Sequence, residues 1–145
     1  MKRSSDSPIV VLASRLLTPF IQLFALYVIF HGHYSPGGGF QGGAILAASV
    51  LLMRLSIGSE VGQLQFRRLW NTPVAASGVF IYVAAGLLAM LMGGAFLDYK
   101  FLPFAGMEDA ARRSLGILIV EVGVGFGVMA TLISIFDDLM EDSEE

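Results

Sequence analysis

Cysteine is absent from this chain of 145 residues. Its absence excludes disulfides, zinc–thiolate sites, iron–sulfur ligation and a cysteine nucleophile. Charge is scarce as well, since Asp, Glu, Lys and Arg make up 14% of the residues, whereas soluble domains carry about 25%. With 55% hydrophobic residues and a mean hydropathy of +0.72, the composition predicts an integral membrane protein.

Four apolar runs account for most of the chain: residues 9–30, 37–57, 73–97 and 114–136. At about 1.5 Å of rise per residue, each run is long enough as an α-helix to cross a hydrocarbon layer of ~30 Å. Strands of a membrane barrel would alternate in polarity over about ten residues, and these runs do not. We therefore predict an all-α fold, in which one membrane domain has four transmembrane helices and an acidic tail, residues 137–145.

The basic residues outside the apolar cores indicate the orientation. The larger group lies on the side of the N-terminus and comprises Lys2, Arg3, Arg54, Arg67 and Arg68, against Lys100, Arg112 and Arg113 on the other side. The positive-inside rule assigns the larger group to the cytoplasm, so we expect both termini and the acidic tail there. The first run is expected to be retained, because it is longer than a typical signal-peptide core and no small-residue cleavage site follows it.

Glu121 is the only charge in the last run. A charged side chain at the centre of a span costs about 2.5–3.5 kcal/mol on insertion scales, so Glu121 is expected to face protein or water, or to be protonated. Two interpretations stay open: a buried carboxyl that hydrogen-bonds a neighbouring helix, or a carboxylate that lines a cation or proton path. Arg15 differs too much in depth for a direct ion pair, so we expect it to reach the cytoplasmic surface or to pair with another subunit.

The stretch HGHYSPGGGFQGG, residues 31–43, carries the chain's two histidines. His31, His33 and Gln41 fall in the same layer as Glu121, and our hypothesis is that these four side chains share one hydrated pocket. Imidazole titrates near neutral pH, which makes a role in proton handling available, although histidines that only hydrogen-bond the backbone are at least as common. Two imidazoles with no cysteine and no acid nearby in sequence make a weak metal site, and we predict none.

Glycines recur four residues apart in this stretch and in the last run: Gly38 and Gly42, Gly39 and Gly43, Gly123 and Gly127. Such rows let helices approach closely in lipid. The alternative is an unwound turn at membrane depth, which is tolerated only where protein or a water-filled cavity surrounds it. The two explanations are compatible. So short a chain with small-residue faces on two helices suggests a component of a larger assembly.

The segment GHYSPGGGFQGGAILAASVLLM resembles the signature of the MnhB/MrpB family, which supplies the B subunit of Mrp-type multisubunit sodium/proton antiporters. The segment VEVGVGF in the last run resembles that family's Glu-x-Gly pattern. The resemblance extends from about Arg15 to Ile135 and leaves the acidic tail outside. The residues that match the family pattern are His33, Pro36, Gly37, Gly38, Gly39, Phe40, Gly43 and Glu121.

The resemblance implies a subunit of a hetero-oligomeric complex in the cytoplasmic membrane of a prokaryote, which exchanges cytoplasmic Na⁺ for external H⁺. The expected partners are the other antiporter subunits, membrane lipid, Na⁺ and H⁺; no enzymatic activity, cofactor or nucleic-acid partner is expected. Glu121, with His33, His31 and Gln41, is expected to line the ion path, and the motif from Pro36 to Gly43 to set the helix packing. Two alternatives stay open: an ion-translocating module of a membrane-bound hydrogenase or related redox-driven complex, and a purely structural scaffold.

Overall fold

The computed structural model describes residues 7–32, 34, 37–58 and 63–142. Within these ranges there is no strand, and all four long helices are apolar and long enough to cross a membrane. The predicted all-α fold with four spans is therefore confirmed. The elements are α1 (Pro8–Phe30), α2 (Gly39–Ile57), α3 (Asn71–Leu91) and α4 (Asp109–Asp142), with single 3₁₀ turns at Arg68–Trp70 and Tyr99–Phe101.

The helices form an open row in the order α1, α2, α4, α3 rather than a closed bundle. Each helix packs against its neighbours in the row; in the described part of the chain α3 contacts neither α1 nor α2, and α1 touches α4 only over a short stretch. The inner helices are the more buried, since 50% of the α2 span lies inside the fold against 17% for α1 and for α3. A row of this kind leaves two broad faces and both outer helices for lipid or other subunits.

Helices α2 and α4 run parallel to each other, and their backbones are in contact. A methyl group at Gly39 would overlap the carbonyl oxygen of Glu121. One at Gly43 would overlap the carbonyl oxygen of Gly125, one turn further along α4. The same register continues to the far end of α2, where Arg54 forms an ion pair with Asp137. The two helices therefore stay side by side along the whole length of α2.

The other two contacts in the row are antiparallel and are also made at glycines. A methyl group at Gly78 of α3 would overlap the carbonyl oxygen of Gly123 in α4, and one at Gly42 of α2 would lie 2.8 Å from the carbonyl oxygen of Ala25 in α1. Glycine at a crossing point lets two helices approach closely, which is typical of helix pairs in lipid. The core between α1, α2 and α4 comprises Ala25, Ile29, Leu46, Ala47, Val50, Met129 and Ile133.

Helix α3 ends at Leu91, whereas the apolar run continues to Leu97. Gly93 adopts a positive φ of 91°, and its N–H donates a hydrogen bond of 3.0 Å to the carbonyl of Met90. A glycine with positive φ just after the last turn is a common helix terminator. The remaining apolar residues of the run therefore belong to the α3–α4 connection.

Helix α4 is longer than its apolar run at both ends, because polar residues at Asp109–Arg113 and in the segment 137–142 continue the helix beyond the apolar stretch. Most of the predicted acidic tail is thus helical. At the end of the α1–α2 connection, Gly38 is extended, with φ −153° and ψ −155°, so α2 begins at Gly39 rather than at Gly37.

Candidate functional site

The carboxylate of Glu121 lies in a cradle of glycines where α1 ends and α2 begins. A methyl group at Gly32 would overlap the carboxylate, and one at Gly38 would lie 2.6 Å from its Oε1 atom. Gly39 contacts the backbone carbonyl of the same residue. The Oε2 atom is buried, although the residue as a whole is partly exposed. Because glycine has no side chain, the loop backbone can approach this carboxylate closely.

The cradle lies below the level at which the apolar part of α4 begins. Glu121 follows Ser114, the first residue of that apolar part, by two helical turns, or about 10 Å. The α1–α2 connection is at the same depth, because Gly32 and Gly38 both meet the Glu121 side chain. Non-helical backbone at such a depth requires surrounding protein or a water-filled cavity.

Tyr99 approaches the same region from the α3–α4 connection. Its ring lies over Gly116, where a methyl group would be 2.7 Å from the ring Cδ1 atom. Burial raises the pKa of the Tyr99 phenol above its usual value, and the nearby phenol of Tyr82 and carboxylate of Glu121 raise it further. Tyr99 therefore keeps its proton at neutral pH and can serve only as a neutral hydroxyl beside the cradle.

Two of the other predicted ion-path residues, His31 and Gln41, are described, and they contact residues other than Glu121. The His31 ring stacks on Tyr27 with ring centroids 4.1 Å apart, and its Nδ1 atom donates a hydrogen bond of 3.0 Å to the carbonyl of Tyr27. Its described contacts are thus within α1. Gln41 is exposed, and its Oε1 atom lies over Gly37, 2.7 Å from the position of a methyl group there. His33 lies outside the described residues.

Within the predicted packing motif, the two glycines at the α2–α4 contact differ from Phe40. Gly39 and Gly43 touch the backbone of α4, whereas the Phe40 side chain is 67% exposed. Phe40 lines an apolar groove of about 570 Å³ that runs along α4 between α2 and α3. Pro36 lies outside the described residues. In a membrane, the groove and Phe40 face lipid or another subunit.

Arg15 and Glu121 lie at different depths, near opposite ends of α1. Arg15 is exposed near the N-terminal end of α1, and Gly32, just after the other end of that helix, contacts the Glu121 carboxylate. The two residues are therefore separated by about 22 Å along α1. A direct ion pair is excluded, as expected from the sequence.

A second polar centre, which the sequence analysis missed, lies at the far end of α2 and α4. Arg54 is 3% exposed, forms an ion pair with Asp137 and donates a hydrogen bond of 2.7 Å to the carbonyl of Phe66. Asn71, at the start of α3, donates a hydrogen bond of 3.2 Å from Nδ2 to the second carboxylate oxygen of Asp137. A buried charge is tolerated when it is paired with an opposite charge, as Arg54 is with Asp137. The available signal was that Arg54 precedes the end of the second apolar run by three residues, which is unusual for a loop charge.

The exposed end of α4 is tied to the α2–α3 connection as well. Arg68 donates hydrogen bonds of 2.9 Å to Asp138 and 2.6 Å to Glu141. The acidic tail thus includes Asp137, Asp138 and Glu141, which pair with Arg54 and Arg68. No group of three or more metal-ligating side chains occurs in the part of the chain that the structure describes.

These features define a class: a helical, multi-pass membrane subunit whose open faces are available to other chains and whose one mid-span carboxylate is held by glycine backbone. Comparison with known proteins narrows the class. A family model described as "Domain related to MnhB subunit of Na+/H+ antiporter" matches residues 9–134. The chain belongs to this family.

Two relatives illustrate the match. The B subunit of the Na⁺/H⁺ antiporter of Bacillus subtilis is 29% identical over 140 residues, which cover 90% of this chain and 96% of the relative. The protein of the same name from Alkalihalophilus pseudofirmus is 31% identical over 127 residues, which cover 82% of this chain and 87% of the relative. The resemblance inferred from the glycine-rich motif is thus confirmed, and so is a multi-pass membrane protein of a prokaryote.

The fold also occurs in a solved assembly. A chain of the membrane-bound sulfane sulfur reductase, an archaeal respiratory membrane complex, superimposes with a TM-score of 0.72 at 27% sequence identity over 96% of this chain. Our chain spans 60% of that longer chain. Relatives are therefore subunits of multisubunit membrane complexes, and other subunits are partners of this chain.

Proposed function

We propose that this chain is a subunit of a multisubunit Na⁺/H⁺ antiporter in which Glu121 is a protonatable group on an ion path. The names of the bacterial relatives support the first part of the proposal. The contact of the Glu121 carboxylate with Gly32 and Gly38, at membrane depth and beside non-helical backbone, carries the second part.

The physical reason is the cost of a charge away from water. A carboxylate in a poorly solvated site favours binding a proton or a cation, because either one neutralises it. In transporters, interrupted helices near the midplane supply backbone carbonyls and half-helix ends that coordinate Na⁺ or H⁺. The α1–α2 connection beside Glu121 offers backbone of this kind. The chain itself would catalyse no chemical reaction, and both termini would face the cytoplasm, as the basic residues suggest.

The test replaces Glu121 in the complete complex and measures Na⁺/H⁺ antiport in membrane vesicles. Glu121→Gln keeps the size of the side chain but cannot lose a proton, so we expect antiport to fall at least about tenfold while the complex still assembles on a native gel. Glu108→Gln is the matched control, because Glu108 is exposed just before α4. Antiport by Glu121→Gln at the parental rate would identify Glu121 as a structural carboxyl and favour the scaffold alternative.

The likeness to the respiratory complex supports a second candidate, an ion-translocating module driven by redox subunits. The two candidates differ in the partners of this chain. Purification in mild detergent followed by mass spectrometry would find antiporter subunits alone in the first case. In the second case it would also find subunits that carry iron–sulfur clusters or other redox centres.

A further inference from the structure

A recess of about 490 Å³ lies between Tyr34, in the α1–α2 connection, and the first turns of α4. Its α4 wall is formed by Ala110, Ala111, Ser114, Leu115 and Leu118. Leu118 precedes Glu121 by about one turn, or ~4.5 Å of helix. The floor of the recess is therefore next to the layer of the glycine cradle.

The wall of the recess and the Glu121 side chain lie on the same side of α4. Positions spaced three and four residues apart share one face of a helix, so Ser114, Leu118 and Glu121 follow one another down a single stripe. The recess therefore lies on the side of α4 that carries Glu121, and Leu118, its last lining residue, is about one turn from that residue. The apolar groove lies further along α4, beyond Glu121, and its α4 wall is formed mainly by Gly123, Val124, Gly127 and Thr131 of another face.

The recess exists because the helices of the row end at different heights. Helix α1 ends at Phe30 and α2 begins at Gly39, both beside Glu121, whereas α4 continues beyond Glu121 by more than three turns, about 18 Å, to Asp109. No helix in the described part of the chain stands beside this upper part of α4 on the α1 and α2 side. Tyr34, at the rim, is 82% exposed.

The chemistry of the recess is that of a membrane–water boundary. Ser114 and Tyr34 carry hydroxyl groups, and the top of the α4 wall adjoins the charged, exposed residues Asp109 and Arg113. The apolar groove, by contrast, lies within the span and exposes almost only carbon. We infer that the recess is a water-filled vestibule through which hydrated protons or monovalent cations reach Glu121 from the side of the α3–α4 connection. This inference rests on the proposed role of Glu121.

The absence of cysteine from the chain makes the vestibule directly testable. Single variants Ser114→Cys and Leu118→Cys are prepared in the complete complex, and labelling of this chain by a charged, membrane-impermeant thiol reagent is followed by mass. Ala105→Cys, in the exposed α3–α4 connection, marks the side of entry. Val128→Cys, in the apolar groove, is the matched control on α4, because a thiol in hydrocarbon is neither ionised nor accessible to the reagent.

We expect both vestibule variants to react from the side on which Ala105→Cys reacts, at least about tenfold faster than Val128→Cys. Labelling of the parent chain, which has no cysteine, gives the background rate. Ser114→Cys is nearly isosteric, so it keeps the test valid if Leu118→Cys fails to assemble. Vestibule thiols in the intact complex that react as slowly as Val128→Cys would overturn the inference, and would indicate that lipid or a partner subunit fills the recess.

The charge of the reagent links the vestibule to Glu121. A carboxylate one turn below Leu118→Cys attracts a cationic reagent, so we expect it to react about fivefold faster than an anionic one, and the preference to vanish when Glu121→Gln is added. Slow labelling together with loss of antiport in Glu121→Gln would overturn the vestibule but not the role of Glu121. Fast labelling together with full antiport in Glu121→Gln would leave the water-filled recess and overturn its role as an ion route.

Discussion

Two carboxylates on α4 face opposite surroundings. Asp137 lies between Arg54 and Asn71, with a guanidinium and an amide on its two oxygens. Glu121, about 24 Å away along the same helix, contacts the backbone of Gly32 and Gly38. The same functional group is thus ion-paired with a guanidinium in one place and is in contact with glycine backbone in the other.

The difference shows how surroundings assign a role to a buried acid. The carboxylate of Asp137 pairs with the guanidinium of Arg54 and accepts a hydrogen bond from Asn71, and so holds α2, α3 and α4 together at one end. At Glu121, by contrast, the carboxylate meets the glycine backbone of the α1–α2 connection. The ion pair holds helices together, and the cradle is the place where we propose a transport role.

The largest expected effect comes from breaking the ion pair. Arg54→Leu leaves the Asp137 carboxylate buried without its cation, and removing one partner of a buried pair typically costs about 3–5 kcal/mol of stability. We expect the variant to lose most of the assembled complex on a native gel. The double variant Arg54→Leu/Asp137→Leu should recover much of the loss, because no isolated charge then remains. Assembly of Arg54→Leu at the parental level would show that the pair does not hold the row together.

The second-largest effect is expected from substituting a glycine at the contact between α2 and α4. Gly43→Ala places a methyl group against a backbone carbonyl of α4, and overpacking of this kind costs about 1–3 kcal/mol. Gly127→Ala is the matched control in a helix, since its methyl group would have no neighbour nearer than 3.7 Å. The melting temperature of each variant complex is measured by following thermal aggregation of the purified protein. Equal melting temperatures for the two variants would contradict the close contact.

A smaller effect is expected from reshaping the cradle without removing the acid. Gly38→Ala introduces a methyl group 2.6 Å from Oε1 of Glu121, so the carboxylate must move. We expect antiport to fall about tenfold, equivalent to ~1.4 kcal/mol, with the complex intact. Antiport by Gly38→Ala equal to that of Gly127→Ala would mean that the position of the carboxylate is not critical.

The smallest effect is expected at the exposed end of α4. Arg68→Gln removes the hydrogen bonds to Asp138 and Glu141, but both acids and the guanidinium are well exposed to solvent. Surface pairs of this kind contribute little and are screened by salt. We expect unchanged assembly at physiological ionic strength. A loss as large as that of Arg54→Leu would erase the distinction between the buried and the exposed pair.

Much of this architecture follows from local properties of the chain. Length and hydropathy predicted the four spans, and the lone charge in the last run singled out Glu121. The Gly-Gly step after Met92 also carried the signal that ends α3, although the uninterrupted apolar composition extended the predicted span to Leu97. Arg54 and Asp137 were not paired in advance, because they lie far apart in sequence and both stand at the edge of an apolar run, where charges are usually solvated.

The sequence alone determined that the chain is helical and that it crosses a membrane four times. It also singled out one acidic residue that needs an explanation. These conclusions depend only on which residues follow one another, because that order sets the hydropathy of each run and the cost of a charge in lipid. Only the tertiary structure decided which helices are neighbours, that Gly32, Gly38 and Gly39 meet Glu121, and that His31 turns back onto its own helix. Those outcomes depend on the register between helices, which is set by contacts between residues distant in sequence.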